Sequence, residues 1–253
     1  MSKQCGNTSQ PFFINSADRL SGTATDFYVN LDDINNDFSQ NAITIQELCI
    51  PMSMYPINSN NNVIAFTGVS GSWNATLTAG NYTPTSLITE LVSKVGTTGS
   101  LGITGGITGA YNSATSRFSF TNLGGTDFTI TATSYNGKYL GFSAGAHTST
   151  NNVLSSDVNI NLSGALQIRV LTDLPIETTN TRNSNRDVLC SVFPDATFGG
   201  VITKNLTNFS YIKMSSPTIG MTRFRLVDEL NQDIDLNGLN WYMTLLKSDI
   251  SDK

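Results

Sequence analysis

Hydrophobic alternation with a period of two recurs along this sequence, and it leaves little room for anything but a β fold. Phe27, Val29 and Leu31 fall on one side of an extended chain, with Asp26, Tyr28 and Asn30 on the other. Leu166, Ile168 and Val170 repeat the pattern, as do Leu239, Trp241, Met243 and Leu245. Shorter runs are Phe118/Phe120, Phe128/Ile130 and Phe224/Leu226. Side chains of a strand point alternately to its two faces, so each run reads as an antiparallel strand buried on one side and wetted on the other. Clusters of Gly, Asn, Asp and Ser separate the runs. Among them, Asn136-Gly137 and Asn237-Gly238 favour the positive φ angles of tight turns. Many short strands so spaced specify a sandwich or a barrel.

One segment breaks the period. Thr83 can cap a helix, Pro84 suits its first turn, and Leu87, Ile88, Leu91, Val92 and Val95 share one face before Gly96 stops it. A helix over about 84–95 is expected to cover one face or end of a sheet.

Charge divides the chain. Only 13% of the 253 residues are charged, about half the usual load. Between Pro51 and Ser156 the charges are Glu90, Lys94, Arg117, Asp127 and Lys138, so the other 28 of 33 lie in the two flanks. A net charge of −5 with 14 Lys and Arg gives no cationic face for nucleic acid. No apolar run is long enough to span a membrane as a helix. The N-terminal MSKQCGNTSQ lacks the apolar stretch of a secretory signal, and Cys5, Cys49 and Cys190 form no paired spacing. Reduced thiols and a protein that is not secreted are therefore expected.

Catalytic constellations do not assemble on paper. The one histidine, His147, lies in a small polar stretch and reads as a solvated loop residue. The tandem Gly102-Ile-Thr-Gly105 and Gly106-Ile-Thr-Gly109 read as a loop or irregular edge, because no Lys-Ser/Thr pair follows to make a phosphate loop. Asp233-Ile-Asp235-Leu-Asn237-Gly238 matches the start of a calcium loop, yet its twelfth position is Thr244 instead of Glu, and a strand pattern follows. Nothing selects a pair among the 19 acids for glycoside hydrolysis. No catalytic, cofactor-binding or metal-ligating residue is assigned, and the chain is expected not to be an enzyme. Trp73, in Gly-Ser-Trp-Asn, has no evident apolar partner and is the one candidate for surface recognition, of a sugar or of a neighbouring subunit.

Three segments together resemble a known family. They are Phe12 to Leu31 (FFINSADRLSGTATDFYVNL), Ile43 to Asn58 (ITIQELCIPMSMYPIN) and Phe224 to Leu245 (FRLVDELNQDIDLNGLNWYMTL). With the helix entry Gly80-Asn-Tyr-Thr83, this layout is similar to the penton, or minor capsid, proteins of virophages, polinton-like viruses and related large DNA viruses. The resemblance implies a jelly-roll β-sandwich that forms a homopentamer at the vertices of an icosahedral capsid, beside a major capsid protein and other minor capsid or fibre proteins. It implies assembly in the host cytoplasm or virus factory, and it brings no catalytic residue with it. The expected layout is a flexible arm over 1–11, a core from 12–66 and 157–248, an inserted β-rich subdomain with the helix over 67–156, and a tail over 249–253. A receptor- or glycan-binding spike or fibre module is the alternative, with Trp73 and the insertion as its recognition surface.

Overall fold

The structure is a computed structural model, and it describes residues 9–31, 41–96, 106–176, 178, 187–205, 211–215 and 220–249. In chain order the first strands are β1 (Ser9–Asn15), β2 (Ser21–Gly22), β3 (Asp26–Asn30) and β4 (Asn41–Pro51). Next come β5 (Val63–Gly68), β6 (Gly71–Thr76), helix α1 (Pro84–Gly96), β7 (Ile107–Asn112), β8 (Arg117–Asn122), β9 (Thr129–Ala132), α2 (Gly137–Leu140), β10 (Gly145–Thr148) and β11 (Val153–Ser155). The last are β12 (Ile168–Thr172), β13 (Val188–Val192), β14 (Val201–Asn205), β15 (Ile212–Lys213), β16 (Met221–Val227) and β17 (Tyr242–Asp249).

Two compact units result. The first combines Met1–Met54 with Ala165–Lys253, and the second is the continuous segment Tyr55–Gly164. The expected core ran to 66 and resumed at 157. The boundary falls earlier on one side and later on the other, because β5 pairs with β6 and β9 inside the second unit. The second unit carries the charge deficit, with Asp157 added to the five charges named above.

The first unit is an all-β jelly roll. One sheet has the order β1-β17-β4-β14 with β15 also on β4, and the other has the order β13-β12-β16-β3-β2. All pairings are antiparallel. Setting aside the short β2 and β15, the first sheet takes the first, eighth, third and sixth strands, and the second sheet takes the second, seventh, fourth and fifth. This doubled Greek key defines an eight-stranded jelly roll. Its core holds Phe27, Val29, Ile45, Leu48, Ile168, Val170, Phe224, Leu226, Trp241, Met243 and Leu245. Trp241 meets Phe27 edge-on, with ring centroids 5.8 Å apart, and its Nε1 donates to the Ala24 carbonyl at 2.9 Å.

Two alternations differ from expectation. All five residues of β12 are buried, those of its outer side included. Arg169 crosses that side to donate to the Asp228 carbonyl at 2.6 Å and to Asn231 Oδ1 at 2.8 Å. Leu166 and Leu239 lie outside the strands and are exposed. Leu239 closes a turn in which Asn237 (φ 52°) and Gly238 (φ 82°) both take left-handed angles.

The second unit packs the sheet β10-β9-β5-β6 and the sheet β11-β8-β7 with α1 around its own core of Phe66, Phe118, Phe120, Phe128, Ile130 and Leu91. The helix begins where Ser86 N donates to Thr83 Oγ1 at 3.2 Å, and it buries Leu87, Ile88, Leu91 and Val95. It crosses β7 at Gly109, where a Cβ would lie 2.4 Å from Ile88 Cγ1. The second Gly-Ile-Thr-Gly repeat therefore opens a strand, with its glycine serving close approach. The first repeat lies outside the described residues. Asn136-Gly137 also departs from the expected hairpin: it opens the single turn of α2, which ends at Gly141 (φ 77°).

Trp241 fills the jelly-roll core, so Trp241→Ala is expected to cost roughly 3–5 kcal/mol of stability. Urea unfolding followed by circular dichroism checks this.

Candidate interaction surfaces

With both cores filled, chemistry has to be sought on the outer faces, and the two jelly-roll sheets present contrasting ones. On the first sheet, Ile14 and Met243 point inward, which turns Phe13 and Tyr242 outward. Phe13 is 80% exposed, Tyr242 49% and Val201 52%. The registers Asn15↔Tyr242, Tyr242↔Cys49 and Thr203↔Cys49 carry one outward row across all four strands. Phe13, Cys49, Tyr242 and Thr244, with Glu47 and Asp18 as the acidic residues, line a groove of about 320 Å³ here. A single exposed apolar residue is ordinary, but two exposed aromatics beside a groove on an otherwise finished sheet face make this a candidate interaction surface.

The outer side of the second sheet is ionic. Arg223 grips Asp26 with two bonds, Nε to Oδ1 at 2.7 Å and Nη2 to Oδ2 at 2.6 Å, and its guanidinium lies 5.8 Å from the Tyr28 ring centroid. Arg225 donates to Asp233 Oδ1 at 2.6 Å and stands 3.6 Å from Asp26 Oδ2. The Arg223 hydrogen bonds, helped by both guanidinium charges, hold the Asp26 carboxyl below its ordinary value. The bidentate geometry gives this cluster direction as well as charge.

The residues singled out from sequence fall as follows. Trp73 stands directly opposite Phe66 across the β5–β6 pair and stacks on it at 4.7 Å with 12° between ring planes. It is half-buried on the inner side of an edge strand, so it is not the free-standing surface aromatic that its local sequence suggested. The partner escaped notice because it meets Trp73 only through the hairpin register. His147 is in strand β10 instead of a loop: its ring packs against Phe142 at 4.7 Å, and Nε2 is 2.8 Å from the Ser143 carbonyl. Asp233 is engaged by Arg225, and Asp235 Oδ1 accepts from Asn237 N at 2.7 Å, in a turn that leads to strand β17. Among the described residues, no three His, Cys, Asp or Glu side chains group as metal ligands. Cys49 and Cys190 are free thiols, and burial pushes Cys190 up to about 12, so it stays protonated. Cys5 lies outside the described residues. No helix among those residues is long and apolar enough to cross a membrane. The groove residues Phe13 and Tyr242 were missed, though odd-numbered Phe13 between inward Phe12 and Ile14 carried the signal.

No protein-family model matches the sequence, and no curated protein matches it. Solved structures do. The crystal structure of the mavirus penton protein matches with a TM-score of 0.50 at 12% identity, covering 95% of this chain and 100% of that one. This chain has the fold of the mavirus penton protein. A chain in the cryo-EM structure of the Sputnik virophage matches over 97% of this chain and 98% of its own, at 13% identity and a TM-score of 0.45. The penton-like fold takes in the inserted unit as well as the jelly roll, since the alignment leaves out only a twentieth of the chain.

The Asp26–Arg223 pair yields a pH-dependent prediction. A carboxyl lowered in the folded state contributes stability that is full above its unfolded value of about 3.9 and is lost as pH falls through the folded value. Arg223→Met is expected to lower stability by about 1 kcal/mol at neutral pH, a partly solvated pair being worth little more. The difference should shrink below pH ~4. Thermal melts of both proteins across this range test the sign.

Proposed function

We propose that this chain is a structural capsid protein that forms the five-fold vertex of an icosahedral virion. The observation that carries the reading is the alignment of both units, jelly roll and insertion, with a protein whose name is penton. Jelly rolls also serve as lectin and enzyme domains, so fold by itself does not choose between them. The penton-like segments at both ends of the sequence favour the capsid. The role is structural, with further copies of this chain and the major capsid protein as neighbours, within a virion assembled inside the host cell.

A ring of identical subunits needs a heterologous contact, in which one patch of each copy meets a different patch of the next. We assign the first patch to the outward sheet face that bears Phe13, Tyr242 and Val201, and its occupant to a second copy of the chain. Covering these aromatics removes apolar area from water and desolvates few charges, whereas burying the Asp26–Arg223–Arg225–Asp233 cluster would cost several kcal/mol per unpaired ion. Interface cores are correspondingly rich in Tyr and Phe and poor in charge.

Native mass spectrometry of the purified protein should give five times the 27.2 kDa chain mass. Phe13→Asp should shift the distribution to single chains with unchanged circular dichroism. A pentamer that survives Phe13→Asp would remove the assigned face and keep the vertex reading. A protein that stays monomeric at high concentration would remove the vertex reading.

A further inference from the structure

We propose that the inserted unit carries a binding pocket for a neutral sugar ring, placed on the outer face of its four-stranded sheet where β5 and β9 run side by side. This inference does not depend on the vertex assignment.

The face is built from hydroxyls and amides. Thr67 pairs with Ser72 on one side and Thr129 on the other, and Thr129 pairs with Thr148, so one row crosses four strands. The Thr67 and Ser72 hydroxyls are 2.9 Å apart, as are those of Thr129 and Thr148. Two residues along, the register Ala65↔Thr131 opens a pocket of about 270 Å³ with Ala65 and Thr131 on its lining. Ser59, Asn60 and Tyr135 also line it, and no charged side chain does.

The walls are fixed before any ligand arrives. Asn136 Nδ2 donates to the Val63 carbonyl at 2.8 Å, and its Oδ1 accepts from Thr133 N at 2.7 Å. Asn61 Oδ1 accepts from Asn58 N and its Nδ2 donates to the Pro56 carbonyl, both at 2.9 Å. The buried Tyr139 hydroxyl donates to the Asn61 carbonyl at 2.6 Å. These bonds brace the 58–62 turn against α2, tie Asn136 to β5, and engage both the oxygen and the nitrogen of each buried amide side chain. By contrast, the Asn60 side-chain amide and the Thr131 and Tyr135 hydroxyls make no hydrogen bond among the described residues, Asn60 bonding only through its backbone N to Asn58 Oδ1. Tyr135 is 37% exposed, so its ring is available beside those groups.

A rigid recess with an accessible aromatic ring, convergent uncharged donors and acceptors, and no ion matches a ligand that is apolar on its ring faces and hydroxylated at its edge. The volume falls just below the roughly 300–1,000 Å³ of pockets that hold drug-sized molecules, which fits one pyranose ring. The absence of a cation from the lining selects against sialic acid, whose carboxylate would be desolvated without a partner. The sparse charge of the whole unit agrees with this, with six charged residues between Tyr55 and Gly164.

Saturation-transfer NMR on the full chain tests the proposal, with the methyl glycosides of glucose, galactose, mannose and N-acetylneuraminic acid as probes. Transfer is expected to at least one neutral hexoside and not to the sialoside. Tyr135→Ala and Asn60→Ala should each weaken it about tenfold, roughly 1.4 kcal/mol. Tyr135→Phe, which keeps the ring, should lose less. Circular dichroism of each variant guards against misfolding. Transfer to none of the neutral hexosides, transfer confined to the sialoside, or transfer undiminished in folded Tyr135→Ala and Asn60→Ala would each overturn the proposal. None of these outcomes bears on the oligomer mass, so a failed sugar site and a failed vertex assignment are separable.

Discussion

The pairing of β17 between β1 and β4 is the contact on which the molecule depends. It joins the last described strand to the first, from Ser9↔Ser248 to Asn15↔Tyr242, and to β4 over its whole length. Trp241 locks the near end of that pairing. Ser16 N donates to the Trp241 carbonyl at 3.1 Å, Ser16 Oγ accepts from Trp241 N at 3.0 Å, and the indole reaches Ala24. A segment of 110 residues leaves after Met54, beyond the end of β4, and returns at Ala165, before β12, so it interrupts no rung of the ladder. The cost is kinetic: pairings of such sequence separation require long loop closures and slow folding.

Much of this was legible from period and position. The alternation of Phe27 and Val29, of Phe224 and Leu226, and of Trp241 to Leu245 places each of these residues in the core. The helix from Pro84 was legible because capping, period and stop signal agree. Other features were hidden for specific reasons. In β4 the inward residues are Ile43 and Ile45, then Leu48 and Ile50, and the parity changes at a bulge that skips Gln46. A strict period of two cannot be read through such a break. The burial of Arg169 in β12 goes with carbonyl and amide oxygens 59 and 62 residues away, which take its guanidinium. The placement of Trp73 and His147 likewise follows from cross-strand partners that no local window contains.

The two sheet faces explain how one sandwich can be both closed and sociable. The ionic outer face satisfies its own charges, with Asp26 shared between two arginines and Asp233 taking the second. Such a face is stable in water and expensive to cover. The other face leaves Phe13 and Tyr242 beside a groove, and nothing in the described part of the first unit covers them. The asymmetry is the ground for the proposed roles, one side toward solvent and one toward a second copy. The inserted unit follows a third rule, being nearly free of charge and faced with hydroxyls, which suits recognition of uncharged ligands better than either face of the jelly roll.

The measurement closest to the central claim is cryo-EM of virions containing this chain, averaged about the icosahedral vertices. The account predicts five copies of the jelly roll closing a ring around each five-fold axis, with the Phe13 and Tyr242 face turned toward the adjacent copy. A vertex ring built from another protein, with this chain elsewhere in the particle or absent from it, would contradict the account.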